Sequence, residues 1–174
     1  MKTKKSNETR IWGIRAGKNG SADALFLKSN LVALEDDQMG DLSKIDNDRE
    51  SYKKFYLDLH LEADPGGGAN IAGKFFRFCR EITDGDFVVY YRLSDRKYYI
   101  ATVIGKYNFL PEKHPSFPHV RKVHWIGSFE KSQLSISAQR ELGAARTFFK
   151  ISRHSDELAV QINKIKQANS ASTT

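Results

Sequence analysis

Between Asp84 and Tyr107, two runs rich in aromatic and β-branched residues flank the polar stretch Ser94-Asp95-Arg96-Lys97. The runs are Phe87-Val88-Val89-Tyr90-Tyr91-Arg92 and Tyr98-Tyr99-Ile100-Ala101-Thr102-Val103. This is the pattern of a β-hairpin. It sits in a chain of net charge +7 that carries no recognisable catalytic kit. The combination predicts a small β-barrel that reads a ligand rather than transforms one.

The rest of the chain supplies partners for the hairpin. Ile11-Trp12-Gly13-Ile14-Arg15-Ala16 reads as a strand ended by the turn Gly17-Lys18-Asn19-Gly20. Ser21 can cap a short helix through Leu27, and Leu31-Val32-Ala33-Leu34 is a short buried strand. Tyr52, Phe55, Tyr56 and Leu59 fall at i, i+3, i+4 and i+7, one apolar helix face, which Asp64-Pro65-Gly66-Gly67-Gly68 breaks. A second helix carries Ile71, Phe75, Phe78, Cys79 and Ile82 on one stripe. Beyond the hairpin, Pro111, Pro115 and Pro118 mark a loop. Val120 to Phe129 reads as a strand with Val123 and Trp125 on one face and His124 and Ile126 on the other. Thr147 to Ile151 is the last strand, and Leu158, Ile162 and Ile165 mark a C-terminal helix. About six strands and three or four helices with few crossovers predict a mixed α+β barrel with flanking and inserted helices. Residues 1–10 read as a flexible basic N-terminus, 11–167 as one domain and 168–174 as a disordered tail or the start of a linker.

Composition narrows the class. No apolar run approaches the length of a membrane span, and the charged N-terminus leads into no apolar region of a signal peptide. The single cysteine, Cys79, precludes an intrachain disulfide and makes a reducing cytoplasm the simplest compartment. Charge is unevenly spread: residues 35–64 hold 10 acidic and 4 basic side chains, and every other segment is net basic. A basic surface of that kind attracts polyanions through counterion release.

Several motifs fail on inspection. Gly68-Ala69-Asn70-Ile71-Ala72-Gly73-Lys74 matches G-x-x-x-x-G-K, but Phe75 occupies the place where a P-loop needs Ser or Thr. It reads instead as a glycine-rich helix start whose backbone N–H groups could hold one phosphate. Asp86 with Asp95-Arg96-Lys97 resembles a nuclease centre only loosely, because Asp95 is explained by turn chemistry. The acidic stretch Glu35 to Asp41 lacks the spacing of a calcium loop and reads as a solvated loop. His60, His114, His119, His124 and His154 show no ligand spacing, so no metal and no cofactor is expected. Cys79 reads as a buried, inert thiol. Trp12, Tyr90, Tyr91, Tyr98, Tyr99, Tyr107 and Trp125 fall on strands or their ends. Half should face the core, and the rest, beside Arg15, Arg92, Arg96, Lys97, Arg121 and Lys122, offer base stacking with phosphate contacts.

With these residues in hand the chain resembles the PUA-like superfamily. Within it, the resemblance is to the N-terminal module of Mrr-type modification-dependent restriction endonucleases, relatives of EVE and YTH domains. The similarity rests on Trp12-Gly13-Ile14-Arg15-Ala16-Gly17, Gly40-Asp41-Leu42-Ser43, Arg77-Phe78 and Glu81-Ile82. It continues through Gly85 to Tyr90, Ala101 to Tyr107, His119 to Trp125, Leu134-Ser135 and Leu142-Gly143. The resemblance implies a curved barrel with a pocket for a flipped, often modified, base. By resemblance the pocket lies at Arg15, Ala16 and Gly17, at Glu35, Asp36 and Asp37, and at Tyr90 and Tyr91. Trp12, Asp36 and Tyr91 are the expected base contacts, and Lys18, Arg92, Arg96, Lys97, Arg121 and Lys122 the expected phosphate contacts. One departure stands out: Glu35-Asp36 replaces the Gly-Trp pair usual in the family, so a carboxylate takes the place of an aromatic wall. Asp36 could then accept a hydrogen bond from an exocyclic amine.

The expected function is thus a non-enzymatic reader of a flipped base in DNA, serving a restriction or defence system with a fused or associated nuclease. An RNA-binding module of the same fold is one rival. A protein-interaction adaptor using the acidic 35–64 face is the other.

Overall fold

The structure, a computed structural model, describes residues 9–173, so residues 1–8 of the expected flexible N-terminus and Thr174 lie outside it. Strand β1 (Ile11–Ile14), helix α1 (Asp23–Ser29), strand β2 (Leu31–Leu34) and helices α2 (Arg49–Leu59) and α3 (Pro65–Phe76) come first. The hairpin of β3 (Phe87–Arg92) and β4 (Lys97–Val103) follows. Then come β5 (Asn108–Phe109), β6 (His119–Glu130), α4 (Ile136–Gly143), β7 (Phe148–Lys150) and α5 (Ser155–Ala171).

The helix starts carry local signals. Asp48 accepts from Ser51 N to cap α2, and Asp64 accepts from Gly67 N to cap α3, whose first residue is Pro65. The G-x-x-x-x-G-K match lies inside α3, and its glycines serve packing. A Cβ on Gly68 would stand 2.6 Å from Leu57 Cδ2 of α2. At the end of α3 the chain widens into a π-turn over Arg77–Glu81, closed by Ile82 N donating to Arg77 O at 3.0 Å.

All seven strands of the described residues join one sheet, in the order β2-β6-β4-β3-β1-β7 with β5 also paired to β6. The hairpin is in register, Tyr91 opposite Tyr98 and Arg92 opposite Lys97. β1 runs parallel to β3 and antiparallel to β7. The sheet curls, but β2 and β7 end the order unpaired to each other, so it is a curled half-barrel rather than a closed one. The mixed α+β fold with flanking and inserted helices is as expected, and three details are added to it. The two-residue β5 adds a seventh strand inside the proline-rich loop. The short α4, capped by Ser135 accepting from Ala138 N, raises the helix count to five among the described residues. The segment 168–171, read as part of a disordered tail or the start of a linker, continues α5, which Asn169 anchors by donating from Nδ2 to Ile126 O at 2.9 Å.

Alternation along the strands sends side chains to two cores. Val88 and Tyr90 of β3 join Trp12, Phe26, Tyr52, Phe75 and Phe78 on the face covered by α1 to α3. Phe87 and Val89 join Ile100, Phe129, Leu158 and Ile162 on the other. A bulge shifts the register opposite Ile100/Ala101, so that Ala101 pairs Trp125 while Ile100 pairs Gly127. The extra residue, Ile126, swaps the phase of β6: Trp125 packs against the first core and Phe129 lies in the second.

Candidate functional site

Where β1 ends, the sheet opens into a hollow of about 370 Å³. That volume is in the range of small-ligand sites, about 300–1,000 Å³. Arg15 and the turn Ala16 to Gly20 form one side, Val89, Tyr91 and Leu93 with Tyr98 a second, and Gln139, Leu142 and Gly143 of α4 a third. Phe149 of β7 lies over Gly13: a Cβ there would stand 2.4 Å from Phe149 Cζ, so only glycine lets the ring settle on β1. The turn needs left-handed backbone at Gly17 (φ 69), Asn19 (φ 55) and Gly20 (φ 75).

Three cations, Arg15, Lys18 and Lys131, line this hollow, and among the described residues no carboxylate does. Lys131 Nζ lies 5.2 Å from the centre of the Tyr91 ring, within cation–π range. Tyr91 and Tyr98 lean together, ring centres 5.1 Å apart, and burial raises the Tyr98 phenol to about 12. Gln139 Nε2 donates to Lys131 O at 3.1 Å and Leu134 O at 3.0 Å. Its side-chain oxygen is left to accept from a ligand N–H.

The structure brings Arg15, Ala16, Gly17, Lys18 and Tyr91 together and scatters the other expected site residues. Trp12 is fully buried, stacked on Phe148, its Nε1 donating to Asp86 Oδ2 at 3.0 Å. It cannot contact a base. Tyr90 faces the core between Phe26 and Trp125, and burial drives its phenol pKa up. Asp36 stands elsewhere, its Oδ1 3.7 Å from Nε2 of the buried His119. Glu35 and Asp36 are exposed, and the Asp37 carbonyl lies 3.0 Å from His60 Nε2. None of these three acids reaches the hollow.

The expected phosphate contacts divide in the same way. Arg121 is buried, donating to the carbonyls of Phe78, Cys79 and Gly105. It neutralises the carbonyl end of the α3 π-turn and is unavailable to a ligand. Arg92 is drawn to Asp95 and Asp23 on the opposite face of the sheet, and Lys97 lies 3.6 Å from Glu130. Arg96 sits exposed at the left-handed apex of the hairpin turn (φ 58). Lys122 is exposed on β6, opposite Leu31. The loose nuclease pattern dissolves: Asp86 is buried and accepts from Trp12 and Thr83, and Asp95 Oδ1 accepts from Lys97 N at 3.2 Å. Burial also pushes the Cys79 thiol up.

Sequence reasoning missed Lys131, Gln139 and Phe149. Leu134-Ser135 and Leu142-Gly143 bracket the missed helix, and Ser135 as its cap was the available signal.

A second hollow, of about 600 Å³, also has Phe149 in its wall. It is lined by Lys74 of α3 and Arg77 of the π-turn that follows, by Ala145 to Thr147, and by β7.

A family model described as a domain of unknown function, DUF8426, matches residues 12–152. No curated protein matches the sequence. Among solved structures, the YTH domain-containing protein mmi1 in its complex with RNA is 15% identical. That alignment covers 92% of this chain and 83% of the other, with a TM-score of 0.45.

Proposed function

The chain belongs to the DUF8426 family, and we propose that it is a non-catalytic nucleic-acid-binding module that holds one extruded base in the hollow at the end of β1. The observation that carries this reading is the make-up of the walls: the partly exposed ring of Tyr91, backed by the buried rings of Tyr98 and Phe149, with three cations and, among the described residues, no carboxylate. A base is a flat π-surface carried on a polyanion, and these are the two surfaces it needs. Stacking on an aromatic side chain is worth about 1–3 kcal/mol per base, comparable to the few kcal/mol that extrusion costs. Arg15, Lys18 and Lys131 would take the flanking phosphates, and Gln139 would accept from the exocyclic amine of the base.

DNA carrying a modified base is the preferred ligand in this reading, by resemblance to the specificity modules of modification-dependent restriction enzymes. The chain would then serve a cytoplasmic defence system, with any nuclease in another domain or partner. Competition among modified DNA, unmodified DNA and RNA at physiological salt tests it. Modified DNA is expected to win, with Tyr91→Ala and Gln139→Leu each weakening it. An RNA that outcompetes every DNA would transfer the site to RNA. Equal binding by wild type and both variants would remove the base from the hollow altogether.

A further inference from the structure

We infer that the second hollow seats the phosphodiester chain next to the base, so that one bound strand crosses the β7 edge from the first hollow into the second. The inference rests on the base-binding reading above. The two hollows share Phe149 as a lining residue, so they adjoin at the β7 edge. Arg146 marks the crossing, its guanidinium 4.2 Å from the centre of the Phe149 ring.

The second hollow is a concentrated site of positive charge. Lys74, Arg77, Arg146 and Lys150 line it, and no acidic side chain of the described residues does. Among the described residues none of the four is in an ion pair. Arg77 Nη2 donates to Phe148 O at 3.2 Å, but its buried Nε has no hydrogen-bond partner. Gly73 makes this placement feasible, since a Cβ there would stand 3.0 Å from Arg77 Nη1. Carboxylates act from outside the hollow: Glu35 and Asp37 on Lys74, and Glu81, itself paired with Arg49, on Arg77. They offset the like-charge repulsion only in part at Arg77, which burial and then Arg49 lower against Glu81, with Arg146 adding to the fall; at Lys74 burial holds the ammonium below its ordinary range even against Asp37 and Glu35.

Clustered, partly buried like charges oppose folding unless an anion satisfies them. A guanidinium with an unpartnered N–H, a second guanidinium and two ammonium groups around one concavity suit the non-bridging oxygens of successive phosphates. The same chemistry would accept free phosphate, so the test must separate the two.

Single-stranded oligonucleotides of increasing length, each with a 2-aminopurine at the target position, are titrated against the full chain in a salt series. The variant is Arg146→Gln with Lys150→Gln, two exposed side chains, and a melt verifies its fold. Two lost phosphate contacts should flatten the slope of log K against log salt by about 1–1.5 for long strands only. Affinity for long strands should fall at least tenfold, and that for the shortest should stay within twofold. Unchanged slope and affinity would overturn the inference. Pyrophosphate that raises the melting temperature of wild type but not of the variant, with no effect of the variant on long strands, would overturn it in favour of a free-phosphate site. The base reading fails separately: Tyr91→Ala would leave 2-aminopurine fluorescence unchanged while the salt slope still responded to the double variant.

Discussion

His119 shows what burial does to a single residue. It is fully buried, its Nδ1 2.8 Å from the Tyr107 hydroxyl and its ring flanked by Phe75 and Phe109. Burial pulls its pKa from 6.5 down to about 4, against the opposing pull of Asp36. The unfolded chain therefore binds a proton more readily than the folded one between these values. Its contribution to stability is complete above about pH 6.5 and is lost as pH falls towards 4, by about 3 kcal/mol. Urea midpoints of wild type and His119→Gln across pH 4–7.5 check this: the variant should show a shallower loss on acidification. Parallel curves would contradict it. Trp12 and Arg121 teach the same lesson without titration. Residue type suggested ligand contacts, but a buried acceptor claimed the indole N–H and three buried carbonyls claimed the guanidinium.

At the scale of elements, β7 decides the shape of the site. It is three residues long and lies at the sheet edge, yet Phe149 supplies the wall between the two hollows. Its ring depends on the bare backbone of Gly13 across the β1–β7 pair. Gly13→Ala should therefore cost about 1–3 kcal/mol of stability by overpacking and push Phe149 into the first hollow. Chemical denaturation reads the first effect and oligonucleotide anisotropy the second. A variant of wild-type stability and affinity would show that the ring has room to move. The hairpin, by contrast, was legible directly, because its pairing is local and the alternation runs without a break. α4 was not, because eight residues give too little periodicity to stand out from a loop.

For the whole molecule, the separation of charge is the governing feature. None of the carboxylates of the acidic segment 35–64 lines either hollow: Asp36 stands beside His119, the Asp37 carbonyl faces His60, and Glu35 and Asp37 act on Lys74 only from outside, while seven cations line the hollows themselves. A polyanion that fills them binds only the folded state, so it should stabilise that state by mass action. An oligonucleotide at about 100 times its dissociation constant adds about 2.7 kcal/mol, a rise of about 5–10 °C in melting temperature for a chain of this size. Scanning calorimetry with and without the strand measures it. A rise produced equally by a basic peptide would instead favour docking through the acidic face.

The chain's own pattern determined the hairpin, the amphipathic helices, the basic balance and the turn that ends β1, since each is written in residues close together. Which cations are available to a ligand was decided only by the tertiary structure. A guanidinium in or next to a strand reads identically whether it stays exposed with one carbonyl at its edge, as Arg15 does beside Ala144, or enters a cage of carbonyls, as Arg121 does. The difference lies in what distant segments bring within about 3 Å, because hydrogen bonding and desolvation act over that distance.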